Sequence, residues 1–433
     1  MTEAMPSILL KGARIIDPAI NKEFTGDLLI KGQKIVDVAP DILAQDTRVI
    51  DLSGKWVVPG LIDMHVHLRE PGFEYKETIE TGTMAAAAGG FTKVACMPNT
   101  SPPNDNEGIT RFIIEKAKRA GFCDVLPVAT ITKAQKGQSL TDFFELLQAG
   151  AIAFSDDGLP VSDPYIMRLA LEYSLNFNAL IISHAEELAL SSQGCMNEGI
   201  TSTKLGLKGI PNAAEDIAVF RDCCIAELTG ARLHIAHVST KGAVEIIRRA
   251  KERGVNITCE TAPHYFSLTE KAVEGYNTFA KMNPPLRTEE DRRAIIEGLA
   301  DGTIDAIATD HAPHDILSKE CEFQLAANGI IGLETSLPLA LDVLIRQEGF
   351  SPLEVMKLMS FNPAKILNIN GGNLHPGHNA DITIIDPDLQ FCYNREEIKS
   401  KAFNSPFLNK KFTGRAIATI MAGKVTFDLK GLF

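Results

Sequence analysis

Leu61-Ile62-Asp63-Met64-His65-Val66-His67 is an apolar run of strand length that ends in two histidines one residue apart. Side chains two apart on a strand share a face, so both imidazoles point the same way at its carboxyl end, as the arms of a metal grip. An isolated His-x-His is more simply a solvated pair on a pleated strand. Here the apolar segment 57–66 argues against an exposed strand. By the same alternation Asp63, His65 and His67 form one face and Ile62, Met64 and Val66 the other. Asp63 is then placed to orient a histidine from behind.

Working outward, seven more strand candidates follow, at 92–97, 125–130, 151–157, 179–184, 233–238, 256–261 and 305–310. Helical stretches fall between them, including 78–88, 107–120, 164–173, 213–228, 241–251 and 289–299. Strands alternating with helices indicate a parallel sheet, and eight such units predict a closed (β/α)8 TIM barrel, an α/β fold whose chemistry gathers at the strands' carboxyl ends. Before this region lie short strand-like pieces at 8–11, 14–16, 27–30, 34–38 and 48–52; after it come 381–385, 415–421 and 424–427. Glycines such as Gly12, Gly32, Gly54, Gly377 and Gly423 punctuate both sets. The two ends are therefore predicted to fold together as a small β-sandwich. The expected layout is 1–58 and 369–433 for that domain and 59–368 for the barrel.

Composition narrows the function. The 433 residues are 45% hydrophobic and 23% charged, a soluble globular balance with material for a large core. A net charge of −12 without a basic stripe argues against a nucleic-acid partner. No apolar run reaches membrane-span length, and residues 1–7 form neither a basic segment nor an apolar signal core, so no membrane association and a cytoplasmic location are expected. None of the eight cysteines forms a Cys-x-x-Cys pair. A small-molecule enzyme fits best.

The strand ends repeat one theme: His65 and His67 on the first, Asp157 on the fourth, His184 on the fifth, His237 on the sixth, Asp310 on the eighth. Imidazoles with a few carboxylates suit zinc, and manganese, cobalt or iron would also be accepted. Six ligands exceed one tetrahedral zinc but serve two ions about 3.5–4 Å apart sharing a carboxylate. Alternation selects Asp157 over Asp156 as the inward residue, since Asp156 is in phase with the bulky Phe154 and Ile152; Asp156 is expected to support the turn. His237 is in phase with Ile235 and Leu233, whereas His234 and His311 fall out of phase and are read as structural. His264 admits either role, the structural one being preferred, and His375 and His378 are read as surface residues.

Several motifs in order carry a resemblance. They are HVHLREPG from His65 to Gly72, Gly89-Gly90-Phe91-Thr92, Met97-Pro98-Asn99-Thr100, FSDDG from Phe154 to Gly158, Asn283-Pro284-Pro285-Leu286-Arg287, and DHAPH from Asp310 to His314. Over nearly the whole chain the sequence resembles dihydroorotase, specifically the type I class of this amidohydrolase family. The resemblance implies a barrel with two zinc ions per subunit, and the reversible cyclisation of N-carbamoyl-L-aspartate to L-dihydroorotate in pyrimidine biosynthesis. It implies His65 and His67 on one zinc, His184 and His237 on the other, Asp157 bridging, and Asp310 as both ligand and general acid/base toward a metal-bound hydroxide. It further places Arg69, Asn99 and His314 on the substrate carboxylate, and Asn283 with the Asn328-Gly329 backbone on the ring. At Asn328 relatives often carry another residue, so only a backbone contact is expected.

Many relatives, including hydantoinases and allantoinases, bridge their metals with a carboxylated lysine on strand four, and residues 151–158 contain no lysine. Their substrates also lack the carboxylate that Arg69 would hold; the alternative for Arg69 is a surface ion pair with Glu70 or Glu74, but its position just past the metal-ligand candidates favours binding. A second alternative is a non-catalytic subunit that scaffolds aspartate transcarbamoylase; such proteins lose ligands, and all six positions are filled here. Homodimers and assemblies with aspartate transcarbamoylase both occur in the family, and the resemblance admits either.

Overall fold

The computed structural model describes residues 7–433. Eight parallel strands form the barrel: Leu61–Val66, Phe91–Cys96, Asp124–Ala129, Ala153–Ser155, Leu180–Ser183, Leu233–Ile235, Ile257–Thr261 and Ala306–Ile307. They pair in sequence order, and a parallel bridge from Val66 to His311 joins the last to the first. The interior is lined by Ile62, Met64, Ala95, Met97, Val128, Ala153, Leu180, Ile182, Ala236, Ala306 and Ala308. Alanines opposite larger side chains fit the narrow interior. Ala364, Ile366 and Leu367 close it at one end.

Helices follow the strands because the sequence supplies both starts and stops. Thr78 caps Ile79–Gly89 in a capping box with Thr81, and Gly90, at φ 93°, turns the chain directly into the second strand. Asn106 caps Glu107–Ala120 by accepting the Ile109 amide, and Gly121, at φ 70°, ends it. Lys241–Glu252 buries Ala243, Val244, Ile247 and Ala250, one apolar stripe at helical spacing.

The termini make one sheet, in the order Lys424–Asp428, Lys411–Met421, Ile382–Cys392, Trp56–Pro59, Ile8–Asp17, Lys22–Lys31 and Lys34–Ala39, with Arg48–Asp51 also paired to Ile8–Asp17. Leu10, Ile15, Leu28, Ile30, Val57, Ile382, Ile384 and Ile420 form its own core. This is the small sandwich built from both chain ends. Between two of its strands, residues 393–410 leave the sheet and pack on the barrel, where Lys399 and Lys401 donate backbone amides to Glu334 and Glu77.

Strands six and eight are shorter than the alternation predicts. The chain leaves extended backbone at His237 (φ 36°) and Asp310 (φ 48°), the two positions where it must turn a side chain toward the barrel axis. The excursion at 188–212, with helices Leu188–Ser191 and Ile200–Leu205 and the strand pair Met196–Asn197 and Gly209–Ile210, has no periodic signature in the sequence. No helix is long and apolar enough to cross a membrane among the described residues.

Candidate active site

The first barrel strand does not alternate as simply as its sequence suggests. Ile62 pairs with Lys93 and Asp63 with Val94, but Val66 pairs with Cys96, so one extra residue is accommodated between Asp63 and Val66. This bulge resets the phase. Ile62 and Met64 point into the barrel, not away from it, while His65 and His67 still reach its mouth. Asp63 does not orient an imidazole: its carboxylate accepts the amides of His65 (3.0 Å) and Thr309 (3.1 Å), stitching strand one to strand eight. The imidazole of His65 is held by Glu260, Oε1 to Nδ1 at 2.8 Å.

Asp157 sits at the centre of the cluster. Its Oδ1 is 3.3 Å from His65 Nε2, 3.4 Å from His184 Nδ1 and 3.7 Å from His237 Nε2, and its Oδ2 is 3.5 Å from His67 Nε2. Asp310 Oδ1 lies 3.1 Å from His67 Nε2 and 3.7 Å from His65 Nε2. His184 Nδ1 and His237 Nε2 are 2.8 Å apart. Asp156, by contrast, turns away and accepts the amides of Ile131 and Thr132, supporting the turn after strand three. On strand six, Leu233 and Ile235 face the helices, so His237 reaches the axis through its left-handed backbone and not through strand phase. His234 points inward, against Glu260 and Thr258. His311 is buried against Glu77 and the Gly332 amide, and His264 is buried beside Tyr265.

Electrostatics describe a site built around positive charge. Burial works to raise the Asp157 carboxyl, yet His65, His184 and His237 hold it well below the usual range. Burial works to lower His184, yet Asp157 and Glu186 raise it to about 10. His65 Nε2 and Asp157 Oδ1 are buried and, although close, make no hydrogen bond. Buried polar atoms without partners are costly, and a cation among them satisfies both. His65, His67 and Asp310 form one group with ligand atoms within 4.8 Å of one another, and His65, Asp157 and His237 another. The donor set of imidazole nitrogen and carboxylate oxygen fits zinc-class ions.

Above the cluster opens a cavity of about 250 Å³, lined by each of the expected site residues except His65, which lies beneath. Asn99 Oδ1 meets His67 Nδ1 at 2.8 Å, an orienting contact in addition to any it makes to a ligand. Arg69, at φ 61°, places Nε 3.2 Å from Pro313 O and Nη2 3.3 Å from His314 Nε2. Neither acidic neighbour pairs with it: Glu70 is taken by Lys116 (2.9 Å) and Glu74 accepts the Gly72 amide (2.8 Å). His314 Nε2 donates to Asn328 O at 2.8 Å. Gly329 needs to be glycine, since its φ is 130° and a Cβ would come 2.6 Å from that of Ala312.

Two carboxylates escaped sequence reasoning. Glu186 joins His184 Nε2 and Asn283 Nδ2, each at 3.0 Å, linking a ligand candidate to a ring-contact candidate. Glu260 supports His65. Each had a faint signal: Glu186 is two residues past His184, and Glu260 is the one acid in an otherwise uncharged strand.

Comparison with known proteins assigns the family and the fold. A family model described as Dihydro-orotase-like matches residues 54–243. Dihydroorotase of Geotalea daltonii is 56% identical over 420 residues, spanning 97% of this chain and 99% of its own. That of Syntrophotalea carbinolica is 54% identical, spanning 98% and 99%. The chain belongs to the dihydroorotase family. Among solved structures, the L-hydantoinase (dihydropyrimidinase) of Arthrobacter aurescens superposes with a TM-score of 0.88 at 26% identity, covering 98% of this chain and 96% of its own. Dihydropyrimidinase of Brevibacillus agri, at 23% identity and TM-score 0.84, shares the fold. Dihydroorotase-family membership makes this chain a hydrolase acting on cyclic amides.

Proposed function

We propose that this chain is a type I dihydroorotase, interconverting N-carbamoyl-L-aspartate and L-dihydroorotate in pyrimidine biosynthesis in the cytoplasm. The observation that carries this is Arg69: a part-buried guanidinium at the rim of the candidate metal cluster, with no carboxylate partner from its own neighbours. A cyclic amide bearing a carboxylate completes that pairing; hydantoin or a dihydropyrimidine without one does not.

Two zinc ions would be held by His65, His67, His184, His237, Asp157 and Asp310. Bound there, they supply Lewis acidity that acidifies water and polarises an amide carbonyl. The chain's own groups do the rest. Arg69 grips the ring carboxylate through two N–H donors, and Asn99 and His314 flank it. Asn283, braced by Glu186, and the backbone near Gly329 orient the ring. Asp310, whose Oδ1 lies 3.1 Å from His67 Nε2 and which lines the cavity, is the carboxylate placed to accept a proton there. It takes that proton from the water attacking the ring carbonyl carbon and delivers it to the ring nitrogen as the C–N bond breaks. In the biosynthetic direction the carbamoyl nitrogen attacks the side-chain carboxyl carbon, Asp310 receives the nitrogen's proton, and water leaves.

Purified protein is to be assayed spectrophotometrically for dihydroorotate ring opening, with and without added zinc, beside hydantoin, allantoin and dihydrouracil. Turnover of dihydroorotate alone supports the reading. Turnover of an uncarboxylated ring with none of dihydroorotate overturns it in favour of the hydantoinase-like alternative that the fold permits.

A further inference from the structure

Two separate chain segments form the wall of the cavity that faces Arg69: residues 310–314, ending in His314, and residues 328–329. Neither belongs to a barrel strand. They meet directly where the Ala312 amide donates to Ile330 O (2.7 Å) and His314 Nε2 to Asn328 O (2.8 Å), and a third segment clamps the pair from outside. Asn404, buried in the segment 393–410 that leaves the terminal sheet, spends its whole side chain on the two. Its Nδ2 donates to Ala312 O (3.1 Å) and to Gly329 O (3.0 Å), and its Oδ1 accepts the His314 amide (3.0 Å). Its own carbonyl accepts the Ile331 amide at 3.0 Å. A primary amide has two N–H donors and an acceptor oxygen, and here all are used across two loops.

Asn404 is itself held firmly. Ser400 and Lys401 are anchored on Glu77, and the neighbouring Phe403 is covered by the Arg395 guanidinium at 3.9 Å from its centroid. On the far side, the Gly329 amide donates to Lys281 O at 3.0 Å, so Gly329 is tethered from both directions. Asp310, at the other end of the first segment, is positioned independently by His67 and by the bridge of Val66 to His311.

We propose that Asn404 is a positioning residue for substrate recognition: it clamps the His314 and Gly329 walls, which their own contacts join, into one fixed spacing and so tightens the hold on the carboxylated ring. The inference rests on the dihydroorotase reading above. Because Asp310 and the metal candidates have their own supports, losing this clamp loosens substrate binding and leaves the chemical step nearly intact.

The test is the kinetics of full-length Asn404→Ala and Asn404→Asp with dihydroorotate, metal content being measured on the same samples. Aspartate keeps the shape and the acceptor for His314 but turns oxygen toward two carbonyls, so it probes the clamp if the alanine variant does not fold. The expected result is KM raised about tenfold or more, kcat within about threefold, and metal content unchanged. KM does not depend on the fraction of folded enzyme, so a residue that is merely structural would lower Tm or apparent kcat and leave KM in place. A KM within about twofold of wild type overturns the proposal. A wild-type protein that does not open dihydroorotate overturns the functional reading instead, so the two failures are distinct.

Discussion

Glu260 Oε1 lies 2.8 Å from His65 Nδ1 inside the barrel, fixing which imidazole nitrogen faces the Asp157 cluster. Burial works to raise the Glu260 carboxyl, yet His234 and His65 bring it to about 2, so it supports His65 as an anion. Carboxylates that hold a ligand histidine typically contribute about 10–100-fold to metal affinity. Glu260→Gln is expected to weaken zinc binding by that factor, with activity restored by excess zinc. Chelator competition with elemental analysis checks it; unchanged affinity would remove Glu260 from the site.

Adjacent aspartates should differ sharply. Asp157 touches four histidines, and Asp157→Asn is expected to abolish metal loading. Asp156 touches only the turn at Ile131 and Thr132. Asp156→Asn should keep its metals and lose about 1–3 kcal/mol of stability, the cost of weakening a buried hydrogen-bonded carboxylate. Metal stoichiometry and urea unfolding of both variants separate the two roles.

Arg69→Lys keeps the charge but loses the planar fork. A loss of about 1.5–3 kcal/mol, or roughly ten- to hundredfold in kcat/KM for dihydroorotate, is expected, mainly through KM. Steady-state kinetics decide it, and a variant with wild-type KM would disconnect Arg69 from the carboxylate.

Glu334 offers a pH prediction away from the metals. Burial raises its carboxyl from 4.5 to about 8, against the lowering effect of the Lys399 and Ser400 amides and Arg415; Glu77 adds to the rise. The native chain thus holds a proton that the unfolded chain releases above its ordinary pKa. This contribution to stability is complete below about pH 4.5 and is lost as pH rises to about 8. Glu334→Gln, neutral throughout, should flatten that part of the profile. Thermal melts across the window test it, and identical slopes for both proteins would refute it.

Much of the site was legible because strand ends and barrel symmetry carry simple periodic signals. Asp157 follows Ala153 into the barrel as alternation requires. Elsewhere the side chain reaches the cluster by a route that alternation does not describe. A bulge between Asp63 and Val66 put Met64 and both histidines inside together, and a left-handed turn swung His237 inward from a strand phase that faces the helices. Bulges and positive φ are set by tertiary packing, and neither residue is a glycine that would announce it. Glu260 was hidden because a buried acid reads as an error in a strand until its histidine is known. Asn404 carried no signal at all: its partners lie 75–92 residues away in sequence.

That separation has a consequence for synthesis. By residue 367 the emerging chain contains all eight barrel strands, all the metal-ligand candidates and Arg69. The residue that ties His314 to Gly329 has not yet been made. Since chains emerge from the ribosome N-terminus first, every wall of the pocket is synthesised before the residue that clamps two of them.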